Sequence, residues 1–213
     1  MNNTNQTTFD NVRVKKMPRN IVPSGIIAML MVVAVETMFF GGLISGFIVN
    51  KLNAVIWPPV GQPRLPIAMT AINTLVLFAS AVTFQLALRS AKKEDKASRA
   101  SLYLILTFAM GLAFLVIQGK EWVSMINHGL TINSSQLGGF FYTVIGAHGI
   151  HVIAGLLILI WLMVRFYRGK DQTKTQNSFS ATRVYWFFVV GLWPVLYVLI
   201  YEPKWAEIMA IFG

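Results

Sequence analysis

The chain has 213 residues, 55% of them hydrophobic and 12% charged, about half the charged share of a soluble domain, which argues against a soluble globular enzyme. Its 18 Lys/Arg against 8 Asp/Glu give a net charge of +10, which suggests nucleic acid in a soluble protein and cytoplasmic loops in a membrane protein. With no cysteine, disulfides, thiolate zinc sites, iron–sulfur clusters and cysteine-dependent copper sites are excluded.

Residues 1–24 are polar and then basic, with Arg13, Lys15, Lys16 and Arg19, and do not have the form of a secretory signal. A helix crossing the hydrocarbon core needs about 20 mainly apolar residues. Five such runs follow, from Gly25 to Val49, Ile67 to Leu88, Ala100 to Gln118, Leu137 to Phe166 and Val184 to Tyr201. Each is apolar all round instead of on one stripe, as a membrane span requires. The chain therefore reads as an all-α, polytopic membrane protein, with a tail at 1–24 and a five-helix membrane domain at 25–213.

Between the first two spans, Trp57 to Pro66 holds half of the chain's eight prolines, too many for a helix. It predicts an ordered turn at the outer interface with Trp57 in the aromatic belt. Asp171 to Ser178 reads as a polar loop, and Glu202 to Gly213 as a short outer tail. The basic residues sort by alternate loops. Fourteen lie in the N-terminal tail, around 89–99 and around 165–183, against Lys51, Arg64, Lys120 and Lys204 elsewhere. The positive-inside rule places the N-terminus in the cytoplasm and the C-terminus outside. The charge is thus topological, and a nucleic-acid partner is not needed to explain it.

Ionisable groups within a bilayer are costly and usually mark function or a specific contact. Three qualify here: Glu36, His148 and His151. Glu36 lies about 16 Å beyond Gly25 and His148 about 15 Å below Gly138, so both approach the midplane. If the first and fourth spans touch, the two side chains share a hydrogen bond, helped by Gly41 and Gly42 on one helix and Gly146 and Gly149 on the other. A metal or haem site fails on counting: there are three histidines, one of them His128 in an outer loop. Di-iron bundles need Glu-x-x-His units, which are absent here. An intramembrane polar network formed by Glu36, His148 and His151 is the expectation. Glu121 reads as a solvated interfacial carboxylate beside Lys120 and Trp122, although it would share a helix face with Gln118. Pro194 predicts a kink in the fifth span, and the aromatics near it read as packing and lipid-contact surface.

Five motifs occur in order: Glu36-Thr37-Met38-Phe39-Phe40; Trp57-Pro58-Pro59 with Gly61, then Asn73-Thr74; Gln118 with Glu121-Trp122; Phe141, then Gly146-Ala147-His148-Gly149-Ile150-His151-Val152 and Gly155; and Tyr185-Trp186-Phe187-Phe188-Val189-Val190 with Trp193. Together they resemble subunit III of the haem–copper terminal oxidases, more closely the cytochrome c oxidase branch, from about Gly25 to Tyr201. The sequence departs from that pattern at Phe187 and Val190, where the family has His and Asp. It has five spans where the longer members have seven.

The resemblance implies an accessory subunit of an aa3-type oxidase without a redox centre, set in a bacterial inner membrane. It would have no catalytic, cofactor-binding or metal-binding residue of its own. Haem and copper would reside in partner subunits, and the chain would carry structural phospholipids, pack on catalytic subunit I beside subunit II, and sustain oxygen reduction and proton uptake. Trp57, Asn73, Gln118, Glu121, Trp186 and Trp193 become candidates for subunit-interface or lipid contact. Related readings are a quinol-oxidase subunit III and a nitric-oxide-reductase accessory protein. A stand-alone transporter with Glu36 in its path is the alternative of a different class, and the sequence lacks the inverted repeat or broken helices that would favour it.

Overall fold

The computed structural model describes residues 23–57, 59, 67–92, 97–169 and 172–201. Five helices account for nearly all of these residues: α1 Ser24–Asn53, α2 Ile67–Ala91, α3 Ala97–Asn127, α4 Gln136–Arg168 and α5 Gln172–Tyr201. Each contains a segment long and apolar enough to cross a membrane. The basic N-terminal tail, most of the proline-rich turn, Lys93 to Lys96, Lys170 to Asp171 and the segment after Tyr201 lie outside the described residues.

The helices are longer than the apolar runs that announce them. Residues 172–178, expected as a loop, are the first turns of α5, and α3 continues to Asn127. The polar ends are helical because a helix satisfies its backbone within the segment whether its side chains meet lipid or water. Local chemistry fixes some ends. Ser135 caps α4, its hydroxyl accepting from the Gly138 N–H at 3.0 Å. Gly169 closes the same helix in the left-handed region at φ 59°, its N–H donating to the Phe166 carbonyl.

Helices α2, α3, α4 and α5 pack in a closed ring, each against two neighbours, and α1 lies outside it against α4 and α5. Of the described α1 residues only Phe40 and Phe47 are fully buried. Lipid tails are as apolar as Leu, so such a ring is held by close packing and interhelical hydrogen bonds. Trp186 of α5 supplies both. It is fully buried, and a Cβ added at Gly111 of α3 or Gly155 of α4 would lie 2.7 or 2.8 Å from its ring. Its indole N–H donates to Ser80 Oγ of α2 at 3.2 Å. One side chain thereby joins all four helices of the ring. One turn pair further along α5, the Trp193 indole donates to Thr74 Oγ1 of α2 at 2.8 Å and meets the Phe114 ring edge-on, centroids 4.9 Å apart.

Trp186 and Trp193, expected as packing and lipid-contact surface, are interior packing residues. Hydropathy cannot separate the two places, because the inside of a membrane bundle is no more apolar than its outside. Phe187, next in sequence, is the aromatic that faces outward. Trp57 is half-buried at the end of α1, its ring edge-on to Phe47 at 5.6 Å.

Candidate functional site

The intramembrane carboxyl of Glu36 does meet a histidine of α4, but the partner is His151, not His148. Glu36 Oε2 lies 2.8 Å from His151 Nε2, and both side chains retain a little exposure, 25% and 16%, at the flank where α1 joins the ring. The difference from the expected pairing is one helical turn. His148 and His151 are three residues apart, about 4.5 Å along the axis, less than the uncertainty in placing a span by hydropathy.

The hydrogen bonds fix the orientation of the ring. His151 Nδ1 is 2.7 Å from the Ala147 carbonyl, which only accepts, so Nδ1 carries hydrogen. Nε2 is then the nitrogen that faces Glu36 Oε2. The pair is also fixed by aromatics. Phe40 stands edge-on to the His151 ring, centroids 5.1 Å apart, and Tyr185 of α5 donates to the His151 carbonyl at 3.2 Å.

The expected close approach of glycines between α1 and α4 is not what brings the pair together. A Cβ at Gly41 or Gly42 would meet nothing within 4 Å, and Gly149 faces Trp122 of α3. The α1 contact is instead made by aromatics and, further along, by Gly46 against the Phe140 ring.

His148 turns the other way, into the ring. It is 1% exposed, stacks on Trp193 with centroids 5.0 Å apart, and meets Phe114 edge-on. Neither of its ring nitrogens has a hydrogen-bond partner among the described residues.

A second polar cluster joins α2, α3 and α5. Glu121 Oε2 accepts from Thr70 Oγ1 at 2.9 Å and from Gln118 Nε2 at 3.1 Å. The same Gln118 nitrogen donates to the Tyr201 hydroxyl at 3.0 Å. Glu121 is buried, which corrects the expectation of a solvated interfacial carboxylate: α3 runs well past it, and Thr70 and Tyr201 close over it. The i, i+3 spacing of Gln118 and Glu121 was the available signal, whereas nothing local marked Thr70 or Tyr201 as partners. Asn73 is likewise interior, its amide donating to the Phe114 carbonyl at 3.1 Å. Thus Asn73, Gln118, Glu121, Trp186 and Trp193 contact other helices of this chain.

Thr70→Val removes one of the two donors to Glu121 while keeping the shape. It should lower the stability of the purified bundle by about 0.6–1.7 kcal/mol, read as a fall in the midpoint of thermal unfolding. An unchanged midpoint would mean that the Thr70 contact does not hold α2 to α3.

Among the described residues, no group of three or more His, Asp or Glu is placed to share a metal ion. His128 is exposed beyond α3 with Nδ1 on the Ser124 carbonyl, His148 is in the ring, and His151 is engaged with Glu36. The helices that carry these groups are also the ones that carry the sequence resemblance, and the match is broad: residues 13–206 fit the family described as cytochrome c oxidase subunit III.

The chain belongs to the cytochrome c oxidase subunit III family.

Among its relatives, a probable cytochrome c oxidase subunit 3 of Mycobacterium leprae is 36% identical over 191 residues, covering 89% of this chain and 92% of that protein. A cytochrome c oxidase subunit 3 of Corynebacterium diphtheriae is 30% identical over 185 residues, 85% and 88% of the two chains. One from Synechocystis is 30% identical over 167 residues, 78% and 70%. As a subunit III, the chain is an accessory component of a haem–copper oxidase, an oxidoreductase complex of several subunits, and a multi-pass membrane protein. This sets aside the stand-alone transporter. In subunit III terms, the Gly146 to Val152 motif places two histidines on opposite jobs, one toward α1 and one into the ring.

Proposed function

We propose that this subunit III is the non-catalytic subunit of an aa3-type cytochrome c oxidase in a bacterial cytoplasmic membrane, packed on catalytic subunit I beside subunit II. Residues 1–24 form its cytoplasmic tail, residues 25–213 its membrane domain, and the C-terminus lies outside. The observation that carries the reading is that the family match spans all five helices. In this reading haem and copper, and with them oxygen reduction and coupled proton translocation, belong to the partner subunits, as the family membership supports. The bacterial relatives support the membrane assignment.

In this reading the chain supports a catalyst that it does not contain. Helix α1, with few buried residues and an apolar surface, offers its flank to structural phospholipids. The Glu36 and His151 pair at that flank holds α1 to α4 near mid-membrane and supports the partner's sustained proton uptake without itself translocating protons.

Purification in mild detergent through an affinity tag on this chain tests the reading. It should bring down two larger oxidase subunits and an a-type haem spectrum. Recovery of the chain without haem-bearing partners would contradict it, and a spectrum of another haem type would contradict the aa3 assignment.

A further inference from the structure

Between α3 and α4 lies a cavity of about 210 Å³, bordered by Gln118, Gly119 and Trp122 of α3 and His148 and Gly149 of α4, with the Trp193 ring of α5 as its third wall. Four buried polar atoms belonging to these residues have no hydrogen-bond partner among the described residues: Gln118 Oε1, Trp122 Nε1, and both His148 ring nitrogens. His148 and Gln118 are 1% and 3% exposed. The four atoms are of complementary kinds. The indole N–H donates, the amide oxygen accepts, and a neutral imidazole presents one donor and one acceptor. Native interiors leave few polar atoms unpaired, and four beside one cavity is a concentration that the packing of the ring does not require.

The geometry points to a water-binding site inside the bundle, in which a short chain of waters links Gln118 and Trp122 to His148. The volume suffices, since one water occupies about 30 Å³ in the liquid, and the polar partners match the two to four that a buried water uses. An acyl chain would fill the same space but leave all four atoms unpaired, so the unpaired atoms of Gln118, Trp122 and His148 favour water within a mainly apolar wall.

The site extends a network already present. Gln118 Nε2 donates to Glu121 and Tyr201, so water at Gln118 Oε1 connects the Thr70 and Glu121 cluster to His148. This network lies within the ring, whereas Glu36 and His151 lie at its α1 flank. His148 is then a water-bonded neutral imidazole with a role distinct from that of its neighbour one turn away.

Radiolytic hydroxyl-radical labelling of the intact oxidase complex, followed by mass spectrometry, tests the proposal, because radicals formed from bound water oxidise the side chains beside it. Phe114 and Trp193 border the cavity, while Phe84 and Trp186 are equally buried elsewhere. Phe114 and Trp193 should be oxidised several-fold more than Phe84 and Trp186. Gly119→Leu, whose added side chain begins in open space, should bring the first pair down to the level of the second. Equal labelling of the two pairs in the unaltered complex would overturn the proposal, and is the result expected if an acyl chain or a partner's side chain fills the cavity. Labelling that persists unchanged in an assembled Gly119→Leu complex would overturn it as well. Should that variant fail to assemble, the comparison within the unaltered complex still decides.

Discussion

Trp186→Ala should be among the most damaging single changes in the chain, lowering the stability of the bundle by about 3 kcal/mol, the lower end of the range for a buried tryptophan. The lower end applies because lipid still solvates the apolar groups that separate, so the loss is chiefly packing and one hydrogen bond. The indole fills the space left by Gly111 and Gly155 and donates to Ser80, so its removal leaves a cavity shared by four helices and a Ser80 hydroxyl that keeps its own bond to the Leu77 carbonyl but loses its donor. Trp186→Phe should cost less, since the ring face stays and the donor goes. Gly155→Ala should harm the same contact from the other side, by about 1–3 kcal/mol of overpacking, and Trp186→Phe should partly relieve it. Thermal unfolding of the purified complex distinguishes these cases. A Trp186→Ala midpoint within error of the unaltered protein would show that the four helices are not joined through this residue.

Glu36→Ala or His151→Ala should each shorten the working life of the assembled oxidase while leaving its initial rate of oxygen reduction largely intact. Each single change leaves a polar orphan in hydrocarbon, at a cost of about 1–3 kcal/mol. Replacing both should therefore cost less than the sum of the two. The Glu36 and His148 changes share no partner, so that double variant should show simple addition. The reverse pattern, coupling to His148 and addition with His151, would contradict the 2.8 Å contact on which the argument rests. Loss of initial turnover in either single variant would contradict the accessory role of the pair.

The number and order of the helices were legible because each span is apolar all round, a property that does not depend on how the helices pack. Their ends were not. Hydropathy marks where side chains leave the hydrocarbon, whereas the helix ends where the backbone stops bonding to itself, as at residues 172–178 and beyond Glu121. Depth along a span was legible to within about a turn, enough to bring Glu36 near the α4 histidines and not enough to choose between His148 and His151. Burial of Glu121 depended on residues far away in sequence, Thr70 and Tyr201. The interior position of Trp186 depended on glycines at Gly111 and Gly155, whose meaning appears only once α3, α4 and α5 are side by side.

The central claim is that this chain sustains an oxidase whose chemistry lies elsewhere. It is tested most directly by comparing the oxidase purified with and without this subunit. Both forms should show the same haem spectrum and similar initial rates of oxygen consumption, and the form lacking the subunit should lose activity several-fold sooner during continuous turnover. A depleted enzyme that has lost haem, or that reduces no oxygen from the first turnovers, would contradict the account.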